Sequence, residues 1–197
     1  MKICQLLRNR VLFFNCDIQT VFNNPKHMYN PGQTIQCAQL MNEAAGILNI
    51  PVVYTEQNVK AFGSTIPEVK ATISPLSHYY EKHTFSMYNE DGKKVLQQYP
   101  EKNQVVIYGW EAHVCVQQTC LDLVRNGYQV HILTDGTSSN KPLYRSTCYQ
   151  RLAQQGVVID NSQSVLYELL QSYKDEKFKP ILNLFKKYKF EEVFTTL

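Results

Sequence analysis

The run Val105-Val106-Ile107-Tyr108 constrains the fold more than any other feature of this chain. A strand with one wet face alternates apolar and polar residues. An unbroken apolar, β-branched run is covered on both faces, as in the middle of a parallel sheet. The run stops at Gly109, and a helical pattern starts a few residues later, from about His113 to Arg125. Val116, Cys120 and Leu123 share one stripe of it, Leu121 and Val124 lie beside them, and Gly127 is the stop. A buried strand therefore turns sharply into a helix at Gly109-Trp110-Glu111-Ala112-His113-Val114-Cys115.

The same alternation recurs along the chain. Val11 to Phe14 reads as a first strand, and Ile35, Ala38, Met41, Ala45 and Leu48 form a helix face. Pro51 to Tyr54 is a second strand. Residues 58–77, with Gly63, Pro67 and Pro75, read as a long loop with a helical turn. Tyr79 to Phe85 is a short strand, and Val95 and Leu96 sit in a short helix ending before Pro100. Tyr128 to Leu133 is a strand that ends at Thr134-Asp135-Gly136. A helix from about Leu143 to Gln155, a strand Val157 to Ile159 and a helix through Tyr173 follow. Strand–helix alternation of this kind predicts an α/β three-layer sandwich around a mostly parallel sheet of about six strands.

Residues 1–173 suffice for this domain. Residues 174–197 mix lysines with Ile181, Phe185 and Tyr188 at helical spacing. They are expected to form an arm packed on the domain or on a neighbouring subunit, within a homo-oligomer of the dimer or tetramer kind. A net charge of +3, with scattered basic residues, requires no nucleic-acid partner. No apolar run approaches the ~18 residues that span a bilayer. The six cysteines include no CxxC pair, and no cofactor or metal cluster is expected from them. The first apolar stretch is broken by Arg8, Asn9 and Arg10, so a secretory signal is not read there. A cytoplasmic protein with reduced thiols is expected. Lys2, Arg8 and Arg10, with no acid before Asp17, make mitochondrial import the alternative.

Parallel sheets bind ligands beyond the carboxyl ends of their strands. Asp17, Lys82 and Cys115 stand at or just past such ends. A helix start offers unpaired N–H groups and partial positive charge, both of which favour a thiolate. An acid to take the thiol proton and an ammonium to hold both negative groups complete a nucleophilic set. Each residue also has a purely structural reading. Cysteine is commonly buried as a small apolar residue, an aspartate after a strand caps the next turn, and a lone lysine is usually a solvated surface group.

Three motifs bear on that choice. Asn15-Cys16-Asp17-Ile18-Gln19 followed by Phe22, Glu81-Lys82-His83-Thr84-Phe85-Ser86, and Gly109 to Val116 occur in the order found in the isochorismatase-like cysteine hydrolases. The chain resembles that family, which includes the nicotinamidases, from about Val11 to Tyr173. The resemblance implies an Asp17–Lys82–Cys115 triad and a cis peptide at Trp110–Glu111. It also implies an oxyanion hole built from the backbone amides of Glu111 and Cys115. Nicotinamidases carry an Asp-x-His metal motif after the second strand. Here the segment is Thr55-Glu56-Gln57-Asn58, so the resemblance is closest to isochorismatase-domain hydrolases that work without a metal. The cysteine argues against isochorismate, a vinyl ether whose cleavage needs no thiol.

Phe22, Glu56, Gln57, Tyr88, Trp110 and His113 are candidates for the substrate pocket. The expected activity is metal-independent hydrolysis of a small amide or related acyl C–N bond through a thioester. The alternative is an oligomeric scaffold or RNA-associated protein. Some relatives bear a ribonuclease label, although this chain offers no histidine pair and no basic aromatic groove.

Overall fold

The computed structural model describes residues 5–189. Six strands, β1 (Val11–Cys16), β2 (Val52–Gln57), β3 (His78–Lys82), β4 (Gln104–Trp110), β5 (Gln129–Ser138) and β6 (Val158–Asp160), form one sheet. Every pairing is parallel, and the order is β3-β2-β1-β4-β5-β6. The chain builds outward from β1 to β3, then crosses back to lay β4 on the other side of β1. The carboxyl ends of β1 and β4 thus flank the point where the strand order reverses, which is where such sheets form a crevice.

The two faces of the sheet bury different side chains because successive residues of a strand point opposite ways. Val11, Phe13, Val106 and Tyr108 face α1 (Pro31–Leu48), α7 (Ser162–Leu170) and α8 (Phe178–Lys187). Leu12, Phe14, Cys16, Val105 and Ile107 face the opposite way. They pack with Val95 and Leu96 of α4 (Glu90–Leu96), Cys120 and Leu123 of α5 (Gln117–Arg125), and Cys148 and Leu152 of α6 (Pro142–Gln154). Three layers result, as the buried apolar runs predict.

The differences from expectation are local. The loop of residues 58–77 contains two short helices, α2 (Val59–Phe62) and α3 (Pro67–Lys70). The strand placed at Tyr79–Phe85 is β3 and stops at Lys82. β5 does not end at Thr134-Asp135-Gly136 but continues to Ser138, with a register shift opposite Ile107 and Gly109 of β4. Gly136 reads as a turn in sequence, yet its missing Cβ serves packing. A Cβ there would stand 2.7 Å from Cys37 Sγ and 3.0 Å from Tyr108 Cβ.

The arm resolves toward its own domain over its described part. Ile181 and Leu184 of α8 join the α1 core, while Lys187 and the Tyr188 hydroxyl reach Glu43 of α1 at 2.7 and 2.9 Å. The N-terminal Lys2, cited for import, and the chain after Lys189 lie outside the described residues. No described helix is long and apolar enough to cross a membrane.

Gly109 ties this frame together. Its φ of 136° is open to glycine and rarely to other residues. A Cβ would overlap the Cys16 carbonyl oxygen and sit 2.7 Å from the Cys16 amide nitrogen. Gly109→Ala must therefore push β4 away from β1 at the mouth of the crevice. We expect a destabilisation of roughly 1–3 kcal/mol, read as a lower urea midpoint, whereas Gly127→Ala, which meets nothing within 4 Å, serves as the control for left-handed strain alone.

Candidate active site

Asp17 follows β1 directly and adopts a left-handed φ of 50°. That turn brings its carboxylate back over the strand ends. Thr55 on β2 donates its hydroxyl to Asp17 Oδ1 at 2.7 Å, and Lys82 at the end of β3 lies 2.6 Å from Oδ2. Both side chains are essentially closed to solvent, at 4% and 0% exposure. Parallel register explains the meeting. Thr55 is paired with Cys16, next to Asp17, and Gln57 is paired with Lys82. A lysine on the outermost strand reaches the β1 end by passing over β2.

The Lys82 ammonium is saturated on its other sides. It donates to Gln57 Oε1 at 2.7 Å and to the carbonyls of Phe85 and Thr84 at 3.0 and 3.3 Å. Burial alone would lower its pKa. The neighbouring Cys16, Asp17 and Cys115 side chains, with the hydrogen bond to Asp17, outweigh burial and the net shift is upward. Lys82 is thus held as a cation in a dry place.

Cys115 arrives from the other side of the reversal. After β4 the chain takes a left-handed φ of 56° at Glu111, then a π-helical turn, Ala112–Val116, and only then α5. A continuous helix from about His113 was expected. The wider π turn leaves the Val114 and Val116 amides both directed at the Glu111 carbonyl, at 2.9 and 3.4 Å. Such turns are common at functional sites. Side chains fasten it: Cys148 Sγ donates to the Ala112 carbonyl at 3.0 Å, and the Thr119 hydroxyl to the Cys115 carbonyl at 2.7 Å. Cys115 is 6% exposed, and the Cys16 thiol donates to Asp17 Oδ2 at 3.6 Å. Burial, then the neighbouring Cys115 side chain and the Asp17 charge, push the Cys16 thiol well up, which keeps it protonated.

Asp17 and Cys115 line one crevice of about 100 Å³ with Phe22, Gln57, Phe62, Phe85, Trp110, Glu111 and Val114. Phe22 stacks on Phe62 at 5.1 Å and meets Trp110 edge-on at 6.4 Å. Of the pocket candidates, Phe22, Gln57 and Trp110 are therefore in this wall. Glu56 is not: it is buried behind β2, where it accepts from the Thr65 amide at 2.6 Å and the Tyr79 hydroxyl at 2.8 Å. Tyr88 is not either. The Met87 amide is fixed on Thr119, and the next residue turns away to line a separate open cleft of about 360 Å³ with Lys93 and Tyr128. His113 stands behind Glu111, bonded to Ser139 Oγ at 3.0 Å and tilted on the Tyr144 ring.

The Trp110–Glu111 peptide expected to be cis is not: no peptide bond among the described residues is cis. The sharp turn is carried by the positive φ of Glu111 instead. Thr55 went unnoticed in the sequence as a site residue, and Cys16 and Gln19 were read only as members of the first motif. Gln19 clamps the crevice edge, accepting from the Gln57 amide at 2.7 Å and donating to the carbonyls of Gln57 and Gly63 at 3.0 and 2.5 Å. Its place in the Asp-x-Gln motif was the available signal. Among the described residues, no group of three or more His, Cys, Asp or Glu side chains is placed to hold a metal ion.

Comparison with known proteins adds to this geometry. The isochorismatase domain family matches residues 11–164. Isochorismatase domain-containing protein 1 of Danio rerio is 41% identical over 175 residues, which are 89% of this chain and 60% of that protein. The chain thus spans about three fifths of that relative's length. The MAR1 ribonuclease structure from Caenorhabditis elegans superposes with a TM-score of 0.91 at 27% identity, covering 98% of both chains. The Escherichia coli YcaC product, titled an octameric hydrolase of unknown specificity, gives 0.88 at 21% identity, over 96% of this chain and 93% of that one.

One stability consequence follows from Glu111. Burial raises its carboxyl from the ordinary 4.5 to about 7. Between those values the folded chain holds a proton that the unfolded chain has lost, so this group destabilises the fold as pH rises. The melting temperature of Glu111→Gln relative to the native chain should therefore climb from pH 5 to pH 8, with the change centred between 4.5 and 7. A constant difference across that range would show that burial does not hold the proton.

Proposed function

The chain belongs to the isochorismatase family, and on that premise we propose that it is a metal-independent cysteine hydrolase acting on a small amide or related acyl C–N bond. One observation carries the reading: the buried Asp17–Lys82 pair at 2.6 Å sits at the floor of a crevice that Asp17 shares with Cys115.

The chemistry runs on these groups. Asp17 takes the Cys115 proton, and the Lys82 ammonium stabilises whichever of carboxylate and thiolate carries the charge at low dielectric. The sulfur attacks the acyl carbon. The resulting oxyanion is met by the amides of Glu111 and Cys115, donors fixed before the reaction starts. Asp17 returns the proton to the departing nitrogen, which leaves as ammonia or amine with a thioester left behind. Water, deprotonated by Asp17, then releases the acid and restores the thiol.

Crevice size bounds the substrate. A dry protein cavity of about 150 Å³ accommodates benzene, so about 100 Å³ suits a short acyl chain. The apolar walls favour an aliphatic body. The ribonuclease name of the nematode relative is not carried over here, since a nucleotide exceeds this volume and lysine or arginine is missing from the crevice lining. Homo-oligomeric assembly belongs to the proposal, and Leu143 and Phe85, at 69% and 52% exposure, are apolar groups that a neighbouring copy would cover.

The test is ammonia release from a panel of short carboxamides and ureido compounds. Cys115→Ala should abolish it. Lys82→Met should lower kcat/KM by about 10³-fold or more, as removal of one member of a cooperating set does. Turnover that survives Cys115→Ala would remove the cysteine mechanism. Because a broken buried ion pair also costs roughly 3–5 kcal/mol of stability, Lys82→Met is assayed below its own melting temperature.

A further inference from the structure

Glu111 lines the crevice together with Cys115, and its side-chain charge has little to offset it. Among the described residues, the one basic group within ion-pair range is His113, 3.3 Å away. That ring nitrogen is engaged with Ser139 Oγ at 3.0 Å. Burial also lowers the His113 pKa, so the imidazole is neutral where Glu111 ionises. Glu111 Oε2 is itself buried with no hydrogen bond, as is Trp110 Nε1 in the same wall. Buried polar atoms are rarely left so. The rest of the wall is aromatic or aliphatic, apart from Asp17 and Gln57, of which Lys82 engages both.

We propose that the Glu111 side chain is the specificity-determining residue of this crevice, admitting small uncharged amides whose N–H meets its carboxyl and turning away carboxylate-bearing compounds. The proposal deepens the hydrolase reading and rests on it. Its physical basis is a ledger of charge. Asp17 and Lys82 cancel one another. The one proton that Asp17 and Cys115 share leaves that set balanced, and the Glu111 carboxylate remains, in a space walled by Phe22, Phe62, Phe85 and Trp110. Coulomb terms are weakly screened there, so an anionic substrate meets a like charge. A neutral amide brings donors instead, which that carboxylate accepts. Besides Glu111, the titratable groups that line this space are Asp17, just past β1, and Cys115; Lys82 from β3 and Cys16 contact Asp17, and His113, against Tyr144 of α6, contacts Glu111. Of these, Glu111 is the group whose pKa stands at about 7. Exclusion of anions should therefore strengthen as pH rises through that value.

Two alkylating reagents test this without a known substrate. Iodoacetamide is neutral and carries N–H donors. Iodoacetate has nearly the same shape and a full negative charge. Each forms an S–C bond to Cys115 and expels iodide. Labelling at Cys115 is followed by peptide mass spectrometry, and each rate is divided by that of free glutathione at the same pH. In the native chain the normalised preference for iodoacetamide should grow about tenfold from pH 6 to pH 8.5, as a like charge at low dielectric implies. In Glu111→Gln it should stay flat. Glu111→Ala is the second variant, in case the glutamine disturbs the turn. A merely structural role would slow both reagents equally and leave the ratio unchanged. A preference that rises equally in native and variant chains overturns the role of Glu111 while leaving the hydrolase reading intact. A Cys115 that neither reagent labels overturns both.

Discussion

The Asp17–Lys82 ion pair sets the terms for the rest of the molecule. Two opposite charges have been taken out of water almost completely, and that transfer costs several kcal/mol per ion in practice. The pair persists because every other oxygen and proton is spoken for: Thr55 on one carboxylate oxygen, and Gln57, Phe85 and Thr84 on the ammonium. Those partners come from three adjacent strand ends. The sheet must hold β1, β2 and β3 in one register for the pair to exist at all. A slip of a single residue would turn Lys82 to the other face. The parallel sheet is thus less a scaffold that happens to carry a site than the only arrangement in which this lysine can be buried.

That dependence explains what could be read from sequence and what could not. Strands β1, β2 and β4 announce themselves as continuous apolar runs, because covering both faces leaves no choice of residue. Asp17, Lys82 and Cys115 were legible as residues at strand ends and as members of three ordered motifs. Thr55 was not, because a threonine in a strand is an ordinary core residue until the register shows what it touches. Gly136 misled for the converse reason. Its local meaning is a turn, and its actual meaning is contact with Cys37 and Tyr108, residues distant in sequence. Tyr88 and Glu56 were read as pocket candidates. The Met87 amide, which donates to Thr119, and the Thr65 amide, which donates to Glu56, decide otherwise.

The turn carrying Cys115 shows a similar division. Gly109 at the strand end and the helical stripe after it are written locally. The π turn between them is not, since it depends on Cys148 and Thr119 gripping the carbonyls of Ala112 and Cys115. These grips matter for chemistry. A nucleophile on a frayed helix end would sample many positions, and effective concentration falls quickly with small misplacements. Bonds from α5 and α6 to the turn fix the sulfur against two helices of one flanking layer. The left-handed backbone at Glu111 is sustained by the same surroundings, in keeping with strain that survives only where neighbours over-determine it.

Glu111 then acquires meaning from the ion pair rather than beside it. Were Asp17 unpaired, the crevice would be negative whatever Glu111 did, and neither residue could discriminate. Because Lys82 balances Asp17 and Cys115, which share one proton, the net charge seen by an entering molecule is left to Glu111. A small aromatic cavity magnifies that remainder, since there is little room for water to screen it. The same burial that raises the Glu111 carboxyl to about 7 places its ionisation near neutrality, where a modest change of pH alters what the crevice attracts. On the proposed reading, catalysis and selection are in this way divided between two carboxylates at the carboxyl end of one sheet, one buried against Lys82 and one with His113 as its basic neighbour.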